Sequence, residues 1–355
     1  MEKPVEPVQL LDPDGRLTPD PRWPLEITPD LCRDLYRRMV LARRFDDEAL
    51  ALQRQGELGL WLQSRGQEAA QVGSVTALRP DDHVFPSYRE QAAALCRGIT
   101  PEELLVQWRG NAHSGWDPAA YRFHVYTLVL AAQLPQATGY AMGVQRDGAD
   151  EIVAVYFGDG ASSQGEASEA LNWAASAGVP LLFFCQNNQW AISTPTSTQM
   201  RAPLHQRAAG FGLDAHLVDG NDVLAVHAVT AGVAEQIRAG GGPALIEATT
   251  YRMGGHSTSD DPGRYRSDSE LDSWRARDPI ARMEILLDRE GWIDEAGRAA
   301  LRLESDDLAA ETRRVCRAIP KGEFSALFGT VLTSEPPHLT DQRQRHTALV
   351  ASYLD

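Results

Sequence analysis

The chain is poor in the features that would mark a secreted, zinc-binding or membrane-spanning protein. It has four cysteines among 355 residues: Cys32, Cys96, Cys185 and Cys316. None forms a CxxC pair. Such wide spacing suits free thiols in a reducing compartment, not a disulfide framework or a zinc site. No apolar run reaches the ~18 residues that a membrane span needs. The first residues, MEKPVEPVQLLDPDG, lack an apolar core and are acidic, so neither a signal nor a transit peptide is expected and the expected location is cytoplasmic. Positive charge is also short. A net charge of −15 argues against nucleic acid or an anionic membrane as partner.

What remains is globular. Hydrophobic residues make up 43% and charged residues 23% of the chain, which is long enough to bury a large core. Three regions are expected. Residues 1–29 hold seven prolines and read as an extended arm lying on the body or on a partner, or else disordered. Residues 30–320 read as one α/β domain, and 321–355 as a tail contacting a partner chain. Thr28-Pro29 opens a long helix by capping and by proline at its first position. Arg43, Arg44, Asp46 and Asp47 on it read as a solvated or intersubunit face. Residues 69–78 and 104–110 read as helices, and 271–317 as mostly helical, with Trp274, Ile285, Leu286 and Trp292 as anchors. A last helix is expected over 341–354.

The stretch from Ile152 to Ser193 carries the chemistry. Ile152–Phe157 is a short apolar run of the kind that forms a buried parallel strand. Residues 166–177 have the length and composition of a crossover helix, closed by Gly178, and Val179–Cys185 is a second apolar run. A βαβ unit of this kind is parallel with a right-handed crossover. It places Asp159, after the first strand, and Asn187-Asn188, after the second, on one edge of the sheet, where open α/β folds bind ligands. A carboxylate oxygen and an amide oxygen suit Mg2+, which takes few protein ligands and completes its octahedron with phosphate and water. Gly160 and Ala161, expected at the helix start, would let phosphate oxygens approach backbone N–H groups. Gly158-Asp159-Gly160 alone would equally suit an ordinary turn. A nicotinamide oxidoreductase fits worse, because the third glycine of a dinucleotide fingerprint would fall at Ser163.

Further runs show the same pattern. Residues 215–218 and 244–249 read as strands flanking a helix over 223–239, which Asp222 caps. Asp219-Gly220-Asn221-Asp222 lies at another strand end. Val84–Glu90 contains Tyr88-Arg89, which by themselves read as a surface loop pair. In Arg252–Arg266, two glycines present His256 in a flexible loop after a strand, a placement better suited to catalysis than to structure.

Between Gly160 and Asn187 lie residues 161–186, 26 in number, and Gly-Asp-Gly, 26 residues, Asn-Asn is the thiamine diphosphate signature. With FFCQNNQWAISTPTS, VDGND and YRMGGHSTSDD, the chain resembles the alpha subunit of the first, decarboxylating component of 2-oxo acid dehydrogenases, nearest the branched-chain (2-oxoisovalerate) branch. The resemblance runs from about Arg37 to Asp294. It implies a thiamine diphosphate-binding fold, mainly a parallel sheet flanked by helices. It implies Mg2+ held by Asp159, Asn188 and the backbone carbonyl of Trp190. Cofactor contacts would come from Tyr88, Arg89, Gly158, Asp159, Gly160, Ala161, Asn188 and His256, and the Asp219 cluster would lie close to the pocket. His256 would be catalytic, with His124 either a second catalytic histidine or a buried structural one. Ser257 matches a position phosphorylated in some relatives. Residues 111–134 depart from the family: Leu128 and Val129 stand where hydroxyl and proline are usual, so a structural potassium ion is not carried over.

The reaction implied is oxidative decarboxylation of a branched-chain 2-oxo acid with acyl transfer to the lipoyl group of a partner acyltransferase. Pyruvate is the runner-up substrate, and a non-catalytic scaffold subunit the other reading. The chain has room for one cofactor-binding domain only. The glutamate that activates the cofactor should therefore arrive on a beta subunit, in an α2β2 assembly.

Overall fold

Among the described residues, seven strands form two sheets: β1 (His83–Phe85), β2 (Val153–Gly158), β3 (Leu181–Asn187), β4 (Trp190–Ala191), β5 (Thr194–Pro195), β6 (Asp214–Asp219) and β7 (Ala244–Thr249). The computed structural model describes residues 6–111, 114–320, 322, 324, 326–329 and 332–353. The main sheet has the order β1-β2-β3-β7-β6, and every pairing in it is parallel. β4 and β5 make a small antiparallel ribbon.

Strand periodicity sorts the core into two layers. Val153, Val155, Phe157, Leu181, Phe183 and Cys185 face one side, against the helices Gln133–Asp147 and Gly165–Ala177. Ala154, Tyr156, Leu182 and Phe184 face the other, against Glu68–Ala77, Val223–Gln236 and the long helix Pro29–Arg54. Both faces are covered, which is why β2 up to Phe157 and β3 up to Cys185 run apolar instead of alternating.

Thr28 caps the long helix through its hydroxyl, with Pro29 at the first turn, and Gly56 follows it at φ +78°. Other expectations need correction. The helix read over 104–110 is broken: Pro101–Leu105 is capped by Thr100 and Glu103, a 3-10 turn Gln107–Arg109 follows, and Gly110 ends it at φ +85°. The segment after β5 carries the helices Thr196–Gln199 and Leu204–Gly210. Asp46 is not on a solvated face. It is fully buried, accepts from Trp61 Nε1 (2.8 Å) and Ser64 N, and burial pushes its carboxyl up to about 7. Arg43 is paired with Glu68 and Asp278. Ile285 is exposed, whereas Leu286 is buried and Trp274 stacks on Tyr251.

From residue 6 the arm lies on the body. Val8 bridges to Val218 at the β6 edge, and the Leu10 and Leu11 N–H groups both donate to the Asp222 carboxylate (2.6 Å each). Asp219 pairs with Arg282 and accepts from Gln9. The Asp219–Asp222 turn therefore anchors the arm and caps a helix, and it does not line the cavity described below. The last described helix is Pro337–Ala351, and residues 1–5 of the arm and Lys321, Leu354 and several others of the tail lie outside the described residues.

Candidate functional site

Parallel pairing sets Gly158 opposite Gln186, so the chain leaves β2 and β3 on the same edge. After β2 it enters a 3-10 turn, Asp159–Ser163, closed by Ser162 Oγ donating to the Asp159 carbonyl (2.7 Å). The α-helix starts only at Gly165, so Gly160 and Ala161 sit in this turn and not at a helix start as expected. Gly160 is needed there for packing: a Cβ would lie 2.7 Å from the Ala191 Cβ of the ribbon.

Asp159 is 1% exposed. Its Oδ2 accepts from Thr196 Oγ1 (3.0 Å) and Gln199 Nε2 (2.9 Å), and it has no ion pair among the described residues. Burial pushes its carboxyl up, and the two donors pull against that. A buried anion without a countercharge is costly, so this position calls for a cation. Two further hard oxygens line the same cavity. Among the described residues Asn188 Oδ1 accepts only from Trp190 N (3.3 Å), while its Nδ2 donates to Gln67 (3.2 Å). The Trp190 carbonyl accepts from Arg252 Nη1 (3.1 Å). The turn bearing them holds Gln189 at φ +74° and Ile192 at φ +53°, left-handed conformations that L side chains rarely adopt and that here aim backbone oxygens. One carboxylate, one amide oxygen and one carbonyl make a donor set that fits Mg2+. No group of three His, Cys, Asp or Glu side chains able to hold a metal occurs among the described residues, which disfavours a site of the zinc type there.

The cavity measures about 390 Å³. Tyr88, Arg89, Gly158, Asp159, Gly160, Ala161, Asn188, Trp190 and His256 all line it, so the fold gathers every expected position but one. Arg89 is buried. Its Nη1 donates to the Gln63 carbonyl (2.5 Å) and its Nη2 to the His256 carbonyl (2.8 Å), with the guanidinium over the Tyr88 ring. Asp260 Oδ2 accepts from His256 N (2.6 Å) and from the Tyr265 hydroxyl (2.5 Å), which closes the loop. Burial, reinforced by Arg89 and Arg252 and opposed by Asp260, lowers the His256 pKa to about 4, so its imidazole is neutral at pH 7. The exception is His124. Its N–H donates to the Val84 carbonyl (2.7 Å), its ring packs 4.5 Å from that of Phe85, and it does not line the cavity.

Four polar cavity residues that the sequence reading gave no role hold this framework: Arg252, Glu90, Gln186 and Gln67. Arg252, 1% exposed, spans the Trp190 and Ile192 carbonyls and the Tyr265 hydroxyl. Glu90 accepts from Ser87 N and Oγ and from Gln186 Nε2 (2.6 Å), tying the Tyr88-Arg89 turn to the end of β3. Only Glu90, next to Tyr88-Arg89, carried a local hint. At the mouth Leu128, Leu130 and Ile192 are exposed and apolar, with Val129 beside them 72% exposed.

Residues 36–320 match the family described as Dehydrogenase E1 component. Over 348 residues, 98% of this chain and 95% of the relative, the chain is 42% identical to the 3-methyl-2-oxobutanoate dehydrogenase subunit alpha of Mycobacterium tuberculosis. It is 36% identical to the mitochondrial 2-oxoisovalerate dehydrogenase subunit alpha of Homo sapiens, over 95% of this chain and 78% of that one. With the mitochondrial 2-oxoisovalerate dehydrogenase subunit alpha 2 of Arabidopsis thaliana it shares 35% identity, over 94% and 73%.

Proposed function

The chain belongs to the dehydrogenase E1 component family, and from that premise we propose that it is the alpha subunit of a branched-chain 2-oxo acid dehydrogenase dependent on thiamine diphosphate and Mg2+. The enzyme decarboxylates its 2-oxo acid oxidatively and passes the acyl group to the lipoyl group of a partner acyltransferase. The observation that carries this reading is the buried Asp159 carboxylate, which has no cationic partner among the described residues and shares a cavity with Asn188, Arg89 and His256.

When bound, thiamine diphosphate would supply a nucleophilic ring carbon and an electron sink for the decarboxylation. The chain's own residues grip and screen it. Asp159, Asn188 and the Trp190 carbonyl would hold Mg2+, and Arg89 would turn its guanidinium to phosphate oxygens as a charge-assisted donor. Gly158, Gly160 and Ala161 keep that wall free of bulky side chains, and Tyr88 supports the arginine from its ring face. His256 is neutral until a nearby diphosphate charge raises its basicity, so cofactor binding readies it to hold or move a proton. Leu128 and Leu130 line the mouth with apolar surface that would keep water out once a partner covers it.

The relatives are alpha subunits by name, which implies a beta subunit here, and an α2β2 assembly is proposed. The glutamate that activates the cofactor would come from that beta chain. The relatives' names favour 3-methyl-2-oxobutanoate and its homologues over pyruvate. Assay of the co-expressed αβ pair with 2-oxoisovalerate, 4-methyl-2-oxopentanoate and pyruvate tests this, and a kcat/KM highest for pyruvate would overturn the branched-chain assignment. Unchanged turnover and cofactor affinity in Asp159→Ala would instead favour a scaffold subunit.

A further inference from the structure

β7 is an apolar strand, Ala244-Leu245-Ile246-Glu247-Ala248-Thr249, with one carboxylate in it. Glu247 is 2% exposed and sits between Cys185 of β3 and Leu217 of β6. A buried carboxylate weakens a core unless every lone pair is used. Here they are used in two directions. Oε2 accepts from the backbone N–H of His205 (2.9 Å) and from its ring Nδ1 (2.7 Å), which gives the histidine a proton on Nδ1. Oε1 accepts from Asn187 Nδ2 (2.7 Å).

That last bond decides which way the Asn187 amide faces. With its nitrogen held by Glu247, its oxygen points into the turn that follows. There it accepts from Gln189 N (3.2 Å) and Gln189 Nε2 (3.2 Å), and the Thr196 hydroxyl lies 3.3 Å away. The same hydroxyl is 3.0 Å from Asp159 Oδ2. Gln189 is the residue at φ +74°, between Asn188 and Trp190. A path of hydrogen bonds thus runs from His205 through Glu247 and Asn187 to the strained turn, and the Thr196 hydroxyl, whose one proton goes to the nearer Asp159 Oδ2, lies beside it.

We propose that Glu247, buttressed by His205, is a positioning residue for the cation site: it orients Asn187 and so sets the turn that presents the Asn188 and Trp190 oxygens beside Asp159. This rests on the function proposed above. Groups beyond the ligands commonly alter metal affinity by about 10–100-fold when changed.

The test is a Mg2+ titration of the co-purified αβ enzyme at saturating thiamine diphosphate, read by tryptophan fluorescence and by calorimetry. In Glu247→Gln a single oxygen remains, the two His205 donors claim it, and Asn187 Nδ2 meets an NH2 group. The Mg2+ dissociation constant should rise by about 10–100-fold. The Mg2+ concentration for half-maximal turnover should rise in step, with kcat at saturating Mg2+ largely kept. The pair Glu247→Gln with Asn187→Asp restores the bond with reversed polarity: the introduced amide donates to the introduced carboxylate, whose other oxygen serves Gln189 N. It should bring the constant back to within about threefold of wild type. Asn187→Ala deletes the same bond from the other side and should match Glu247→Gln, which keeps the test open should that variant not assemble.

Wild-type Mg2+ affinity in Glu247→Gln or in Asn187→Ala would overturn the proposal, as would a reversed pair no better than the single variants. A wild-type αβ enzyme that binds neither Mg2+ nor thiamine diphosphate would instead sink the proposed function itself.

Discussion

Asp159 is a carboxylate buried with no countercharge among the described residues, and the chemistry of the site begins from that imbalance. Asp159→Ala removes it. Thiamine diphosphate binding in the presence of Mg2+ should then weaken by more than the roughly 10–100-fold typical of a change beyond the ligands, as calorimetry on the αβ pair would show. His256 makes a second prediction. Its folded pKa of about 4 lies below the ordinary histidine value, so between these two the open loop binds more protons than the closed one. Without cofactor, closure is therefore fully favoured above about pH 6.5 and is progressively lost as pH falls towards 4. Amide exchange of residues 254–260 should report it, and protection that stays constant from pH 7.5 to 5 would contradict it. Asp159 and Asn188 were legible because spacing and residue type announce them. Arg252 and Glu247 were not, because their partners, Trp190 and Asn187, lie some 60 residues away in sequence.

Helix and strand elements are set mostly by local pattern and their contacts by close fit. Gly73, on Glu68–Ala77, shows the second point. A Cβ there would lie 2.8 Å from the Val223 carbonyl oxygen and 2.9 Å from the Val226 side chain, on the facing helix Val223–Gln236. Backbone cannot yield as a flexible side chain would. Gly73→Ala should therefore destabilise by about 1–3 kcal/mol from overpacking, less up to ~1 kcal/mol gained in helix propensity, read as a lower urea midpoint with unchanged slope. The βαβ unit was readable because its apolar runs are continuous and Gly158 and Gly178 punctuate them. β1 is only three residues long, too short for any period to show. The helix over 104–110 failed as a single element because Gly110 closes a tighter turn instead of continuing it. Asp46 was misplaced because nothing local signals that Trp61 will reach back to it.

On the scale of the molecule, an apolar rim at the cavity mouth (Leu128, Val129, Leu130 and Ile192) faces solvent in the chain taken by itself. A contiguous exposed apolar patch beside a site marks an interaction surface. The partner that best fits is the beta subunit. Val129→Asp should weaken αβ association by about tenfold or more, equivalent to ~1.4 kcal/mol, measured by titrating beta subunit into alpha. Undiminished association would place the interface elsewhere. Local sequence was enough for the parallel α/β architecture, the strand ends that bear Asp159 and Asn188, and the family, because apolar period, glycine punctuation and motif spacing are local properties of a chain. It took the folded molecule to show that the proline-rich arm lies against β6, that His124 stays outside the cavity, and that Arg252 binds the Trp190 carbonyl and Glu247 the Asn187 amide. Those outcomes depend on burial and on hydrogen bonds between distant segments, and such bonds exist only once the sheet has brought the segments together.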